Sequence, residues 1–284
     1  TTNCTITNPC SASNLTTTTL NTINAIAPDA NIYTNPGNYS IGSLTVNKGQ
    51  SLYGRTSSYQ LPAYYNGSLP SLIGGLTLNG DNTIQAMQLL NHGAQINGVT
   101  VTNASNIVFD HDIIGAANTN QGYQTGINLG DAQNIVLQNS TVIGFANNPF
   151  TAGIALINKG NITIINSNLS GVTNVTNSLA EAILNEDFGK IDISNSTLSA
   201  NSPTDATVIF NEDFGRINIS NTRIMSHSTT LAEGIFNEDF GQINMANTNI
   251  YANGNIFAAG IFNEDFGLIN IANSTLIAQS PNQA

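Results

Sequence analysis

At 284 residues the chain is long enough for two ordinary globular domains, yet only 8% of it is charged, and 17 acidic against 6 basic residues leave a net charge of −11. That sign is wrong for neutralising phosphates, which argues against nucleic acid and anionic membranes and admits polyanionic glycans only through bridging divalent cations. Asn, Thr, Ser and Gly carry the solubility instead, a composition suited to strands and turns.

No stretch approaches the roughly 18 apolar residues of a membrane span, so membrane insertion is not expected. No signal peptide is present, and residue 1 reads as a mature or engineered start. Cys4 and Cys10 are close enough to close a small loop and lack the His or further Cys of a zinc set. A Cys4–Cys10 disulfide is expected, and with it an oxidising location: extracellular, cell-surface or periplasmic. The Tyr-, Ser- and Pro-rich stretch Arg55–Pro70 reads as a loop excursion, and between Ser71 and Thr125 the repeat register stays open.

From there a phrase recurs: an apolar-x-apolar pair, with Asn four residues after its first member. It stands at Ile135/Asn139, Ile162/Asn166, Ile191/Asn195, Ile217/Asn221, Ile243/Asn247 and Ile269/Asn273, and Ile107 begins it with His111 in place of Asn. The last four coils also carry Asn-Glu-Asp-Phe-Gly, starting at Asn185, Asn211, Asn237 and Asn263, 26 residues apart. A fixed period of this length signals a solenoid, most regular over residues 180–278. Period-two alternation without a helical stripe makes each coil a set of short strands. Parallel stacking would repeat each position every ~4.8 Å, and the Asn139–Asn273 set is expected to form an inward amide ladder.

These residues resemble the right-handed parallel β-helices of the pectin-lyase-like superfamily, whose coils carry such a ladder between their second and third strands. The resemblance implies an all-β fold with an N-terminal helical cap. Residues 1–30 form the cap region, with a helix around Leu20–Ala27 covering the first coil, and residues 31–284 form the β-helix. It implies little about activity, because the superfamily holds lyases, hydrolases, tailspikes and adhesins. A polygalacturonase-like site would show Asn-x-Asp, Asp-Asp, Gly-His-Gly and Arg-x-Lys in order, and this chain lacks that series. Asp110, Asp112 and Asp131 remain candidates for a glycosidase carboxylate pair. Arg216, with Asp213 and Asp239, could be cast as a lyase base and its cation ligands.

The motif acids Glu186, Asp187, Glu212, Asp213, Glu238, Asp239, Glu264 and Asp265 stack along one edge. They either bind hard cations such as Ca²⁺ or remain solvated turn carboxylates, with Lys159, Lys190, Arg216 and Arg223 available to pair with them. Ahead of each motif stand two apolar residues, as in Ile209-Phe210, only one of which can face the core. One row should therefore face out as a contact stripe. The motif phenylalanines Phe188, Phe214, Phe240 and Phe266 are expected inward. The sequence stops soon after the last coil, so that coil either is truncated or meets another chain. Identical acids in four coils suit a secreted or cell-surface structural or adhesive protein, self-assembling through the last coil or the apolar stripe. The alternative is a carbohydrate-active lyase or hydrolase with a glycan in the groove.

Overall fold

The computed structural model describes residues 16–27, 29–55, 69–91, 96–116 and 122–281. The expected Cys4–Cys10 disulfide and most of the Arg55–Pro70 excursion lie outside them. Among the described residues one helix, Thr17–Ile26, precedes strands that pair in parallel throughout. The helix begins where Thr16 Oγ1 accepts the Thr19 N–H at 3.1 Å, satisfying one of the orphan amides of a helix start. Leu20 is buried in the core and its carbonyl accepts Gln50 Nε2 at 2.8 Å. Thr45 N–H donates to Thr17 Oγ1 at 3.1 Å, so the helix covers the first coil as expected.

A regular coil consists of three strands, for example Leu179–Asn185, Lys190–Ser194 and Thr197–Ser202. The second strands stack into a ten-stranded sheet, while first and third strands join a 17-stranded one. In-register pairing aligns Ile107, Ile135, Ile162, Ile191, Ile217, Ile243 and Ile269 in one row. All but the last are buried. Each such burial contributes about 1.5–3 kcal/mol, which makes this row a spine of the core.

The open register resolves through Leu76 opposite Val99 and Val99 opposite Ile127. Asn82 then takes the inward position that Ile107 takes one coil later. Its amide donates to the Asn47 and Gln50 carbonyls at 2.7 and 2.8 Å, so a polar residue is satisfied inside the core.

One expectation is corrected at the turn after each second strand. Asn139, Asn166, Asn195, Asn221, Asn247 and Asn273 do not form the inward ladder; they adopt φ of 47 to 51° and sit at the surface. A left-handed residue breaks the in-out alternation, and Asn is a side chain that tolerates that conformation. His111 occupies the same row at φ 59°. The inward place passes to the next residue: Ser140, Ser167, Ser196, Thr222 and Thr248 are buried. Their hydroxyls donate to the carbonyl two residues back and accept an N–H from the preceding coil, as Ser167 Oγ does from Ser140 N–H at 3.2 Å.

Candidate functional site

The amide ladder exists, at the other corner of the coil. Asn158, Asn185, Asn211 and Asn237 are wholly buried, and each Nδ2 donates to the next Oδ1 at 2.7 Å as far as Asn263. In the Asn-Glu-Asp-Phe-Gly coils the same Nδ2 reaches the carbonyl of the motif glycine at 2.9 to 3.0 Å. That glycine has no room for a side chain, since a Cβ on Gly215 would lie 2.3 Å from Asn211 Oδ1. Its N–H closes the turn on the Glu212 carbonyl at 3.1 Å, and Asp213 supplies a φ of 52°. The motif is therefore first a corner: ladder residue, turn acceptor, left-handed residue, outward aromatic, and glycine cleared for the ladder amide. The sequence signal was its own Asn, with Gly four residues on.

The motif phenylalanines contradict the inward expectation. Phe188, Phe214, Phe240 and Phe266 are 76, 52, 53 and 77% exposed, and their rings stack in file at 5.2, 5.2 and 5.4 Å. The left-handed Asp before each one rotates it out of the core. The expected outward apolar row is present one strand back, where Phe210, Phe236 and Phe262 follow one another at 4.9 and 5.3 Å. Two aromatic files thus flank the file of glutamates. Contiguous exposed apolar surface of this kind marks a contact site.

The carboxylates between them form a file along the surface. Glu186, Asp187, Glu212, Asp213, Glu238, Asp239, Glu264 and Asp265 follow one another coil by coil, and among the described residues no group of three or more His, Cys, Asp or Glu side chains is placed to hold a metal ion. Equivalent acids repeat every ~4.8 Å along the axis instead of converging from several directions as a hard cation requires. Lys159 bonds Asp187 at 3.2 Å and Glu186 at 3.6 Å, as expected, but Lys190 turns to Asp192 at 3.2 Å. Arg216 and Arg223 form no ion pair among the described residues. Partial burial, then the adjacent Asp and the neighbouring acids, push the Glu212 and Glu238 carboxyls above the usual range.

Two acids that the sequence reading passed over lie beside this edge. Glu181, Thr207 and Glu233 pair in register on the first strands. Glu181 is 2% exposed, its Oε2 has no hydrogen-bond partner, and burial, then Glu212 and Glu186, push its carboxyl up to about 8. Glu233 is raised by burial although Thr207 Oγ1 donates to it at 3.1 Å. An acid between apolar residues, in Leu-Ala-Glu-Ala-Ile and Leu-Ala-Glu-Gly-Ile, was the available signal.

Of the catalytic candidates, Asp110 and Asp112 lie side by side and Asp131 stands apart from them. Asp112 is fully buried in the hydroxyl row, where its oxygens accept Met87 N–H at 2.9 Å and Asp110 N–H at 3.1 Å, and burial raises its carboxyl well above normal. Asp110, whose charge adds to the rise at Asp112, is itself 9% exposed. Burial raises it, but hydrogen bonds from Asn139, Gln85 and His111 outweigh this and hold it low. Asp131 is exposed at the opposite end of the second strand, roughly 20 Å away at ~3.3 Å per residue. That exceeds the ~5–10 Å between glycosidase carboxylates. Arg216 begins a second strand several coils further along. What does gather, across three successive coils, is Arg55, Gln85, Asp110 and His111. Arg55 donates to Gln85 at 2.9 Å and lies 5.0 Å over Tyr53 and 5.6 Å over Tyr33. Residues from separate coils meet there, which spacing alone could not reveal.

Among the described residues no helix is long and apolar enough to cross a membrane. No family model matches the chain. No curated protein matches it. Among solved structures it is similar to the Dettilon tailspike protein gp208, at 12% identity and a TM-score of 0.59, over 92% of this chain and 50% of that one. It also aligns with the A-module of the Azotobacter vinelandii mannuronan C-5 epimerase AlgE4, at 12% identity and a TM-score of 0.47, over 94% of this chain and 95% of that one. A third is PfbA, a surface adhesin of Streptococcus pneumoniae, at 10% identity and a TM-score of 0.42, over 91% of this chain and 86% of that one. Identities this low speak to fold alone. The chain is a right-handed parallel β-helix with a short N-terminal helix.

Proposed function

We propose that the protein is an extracellular or cell-surface β-helix that works by contact, with the phenylalanine-flanked acidic edge as its adhesive face. The observation that carries this is the exposed, self-stacked file Phe188–Phe214–Phe240–Phe266. A core row would be buried, and a catalytic centre would be confined to one level. The rings spend their faces on one another, so they offer a partner a ridge of edges beside carboxylates. A partner with apolar grooves and basic flanks complements it.

Beads coated with the protein should adhere to intact producing cells, and raised ionic strength should weaken adhesion because the acidic component is exposed. The triple variant Phe188→Ser, Phe214→Ser, Phe240→Ser should lose most of it. Equal adhesion by the variant, or none by the parent, sinks this reading.

The second reading, a carbohydrate-active enzyme, draws support from the unrepeated cluster of Arg55, Gln85, Asp110 and His111, in which His111 Nδ1 lies 2.7 Å from Asp110 Oδ1. It predicts cleavage of a polysaccharide, measured as new chain ends, that falls by roughly a hundredfold in His111→Ala. Undiminished cleavage in that variant would remove the cluster from the chemistry.

A further inference from the structure

On the outer face of the ten-stranded sheet lies an open groove of about 530 Å³, away from the acidic edge. One wall is a second amide file. Asn218 Nδ2 donates to Asp192 Oδ1 at 2.6 Å, Asn244 Nδ2 to Asn218 Oδ1 at 2.9 Å, and Asn270 Nδ2 to Asn244 Oδ1 at 2.8 Å. The groove is open because the outward position two residues on is small in each coil: Ser194, Ser220, Ala246 and Ala272. Unlike the buried ladder, this file faces solvent and no corner depends on it.

An asparagine side chain has two N–H donors and two acceptor lone pairs. Asn218 and Asn244 each use one of either kind within the file, leaving one donor and one acceptor per coil directed at the groove. Asp192, which heads the file, is also paired with Lys190 at 3.2 Å, so the groove presents no unopposed charge. We propose that this groove binds a neutral glycan of equatorially linked pyranoses laid along the helix axis.

Three matches favour that occupant. A sugar hydroxyl donates and accepts at once, which fits a donor and an acceptor on every rung. A pyranose face carries C–H groups that can rest on the Ala246 and Ala272 methyls. The rungs repeat every ~4.8 Å, close to the advance of one equatorially linked sugar, whereas an extended peptide repeats its groups every ~6.6 Å and falls out of step. From Thr163 to Asn270 the groove spans roughly 19 Å, enough for about four sugars. Polyuronates are disfavoured because no free cation lines the groove.

Calorimetric titration with cellohexaose and mannohexaose tests this, with axially linked maltohexaose and charged hexagalacturonate as comparators. The equatorial neutral oligosaccharides should bind. Asn218→Ala with Asn244→Ala should weaken them roughly tenfold or more, the loss of one good hydrogen bond or more. Ala246→Phe, which fills the groove and spares the amides, should abolish binding. Phe214→Ser with Phe240→Ser should leave it unchanged, which separates this site from the adhesive edge. Absence of binding by cellohexaose and mannohexaose, equal binding by the groove variants, or tighter binding of hexagalacturonate overturns the proposal.

Discussion

Replacing Asn211 by Ala should destabilise the regular coils by about 3–5 kcal/mol, more than any substitution on the outer asparagine row. Asn211 sits wholly buried at the middle of the ladder. It accepts from Asn185 at 2.7 Å and donates to Asn237 at 2.7 Å and to the Gly215 carbonyl at 3.0 Å. The truncation therefore strands polar groups of Asn185, Asn237 and Gly215 away from water and adds a small cavity. Asn221, by contrast, is exposed at φ 47°. Asn221→Ala should cost only the left-handed penalty, about 1–2 kcal/mol, and Asn221→Gly close to nothing. Native-state hydrogen exchange across residues 179–263 is the suitable measurement, because solenoid coils can open locally. Equal losses at Asn211 and Asn221 would mean that the inner ladder is not the stabilising one.

The second large effect is pH-dependent and centres on Glu181. Its carboxyl titrates near 4.5 when free and about 8 in the fold, chiefly because it is buried, with Glu212 and Glu186 adding repulsion. A raised acid is a group whose folded state holds the proton longer. The stability is fully present below pH of about 4.5, falls as the unfolded chain ionises and the folded one does not, and is lost once pH passes about 8. The loss amounts to at most about 5 kcal/mol, and Glu233, raised in the same sense by burial, adds to it. Glu181→Gln should remove most of this slope. Denaturation at about pH 9 should find the variant more stable by several kcal/mol, and at about pH 5 the two proteins should agree within about 1 kcal/mol. Parallel pH profiles for the two would show that Glu181 is not held protonated.

Much of the architecture was legible because the period is strict. The isoleucine row from Ile107 to Ile269 pairs in register as the spacing requires, and the cap helix forms within a few residues of its predicted place. The outward apolar row before each motif was legible from alternation alone. The site was harder. Alternation fails at a left-handed residue, and each Asn-Glu-Asp-Phe-Gly coil has one at either end of its second strand, for example Asp213 and Asn221. Beyond such a residue the sides exchange, so the asparagines expected inside lie outside and the phenylalanines expected inside form an exposed file. The Arg55–Gln85–Asp110–His111 cluster was hidden for another reason: its members are adjacent only after coiling.

By itself, then, the sequence determined that this chain is a parallel solenoid, where its coils begin, and which isoleucines form its spine, because a period repeated coil after coil admits one stacking register. The tertiary structure decided what Asn-Glu-Asp-Phe-Gly does. Its Asn is the buried ladder, its Gly makes room for that amide, and its Phe and acids share the outer edge, because one backbone angle at Asp turns the corner inside out.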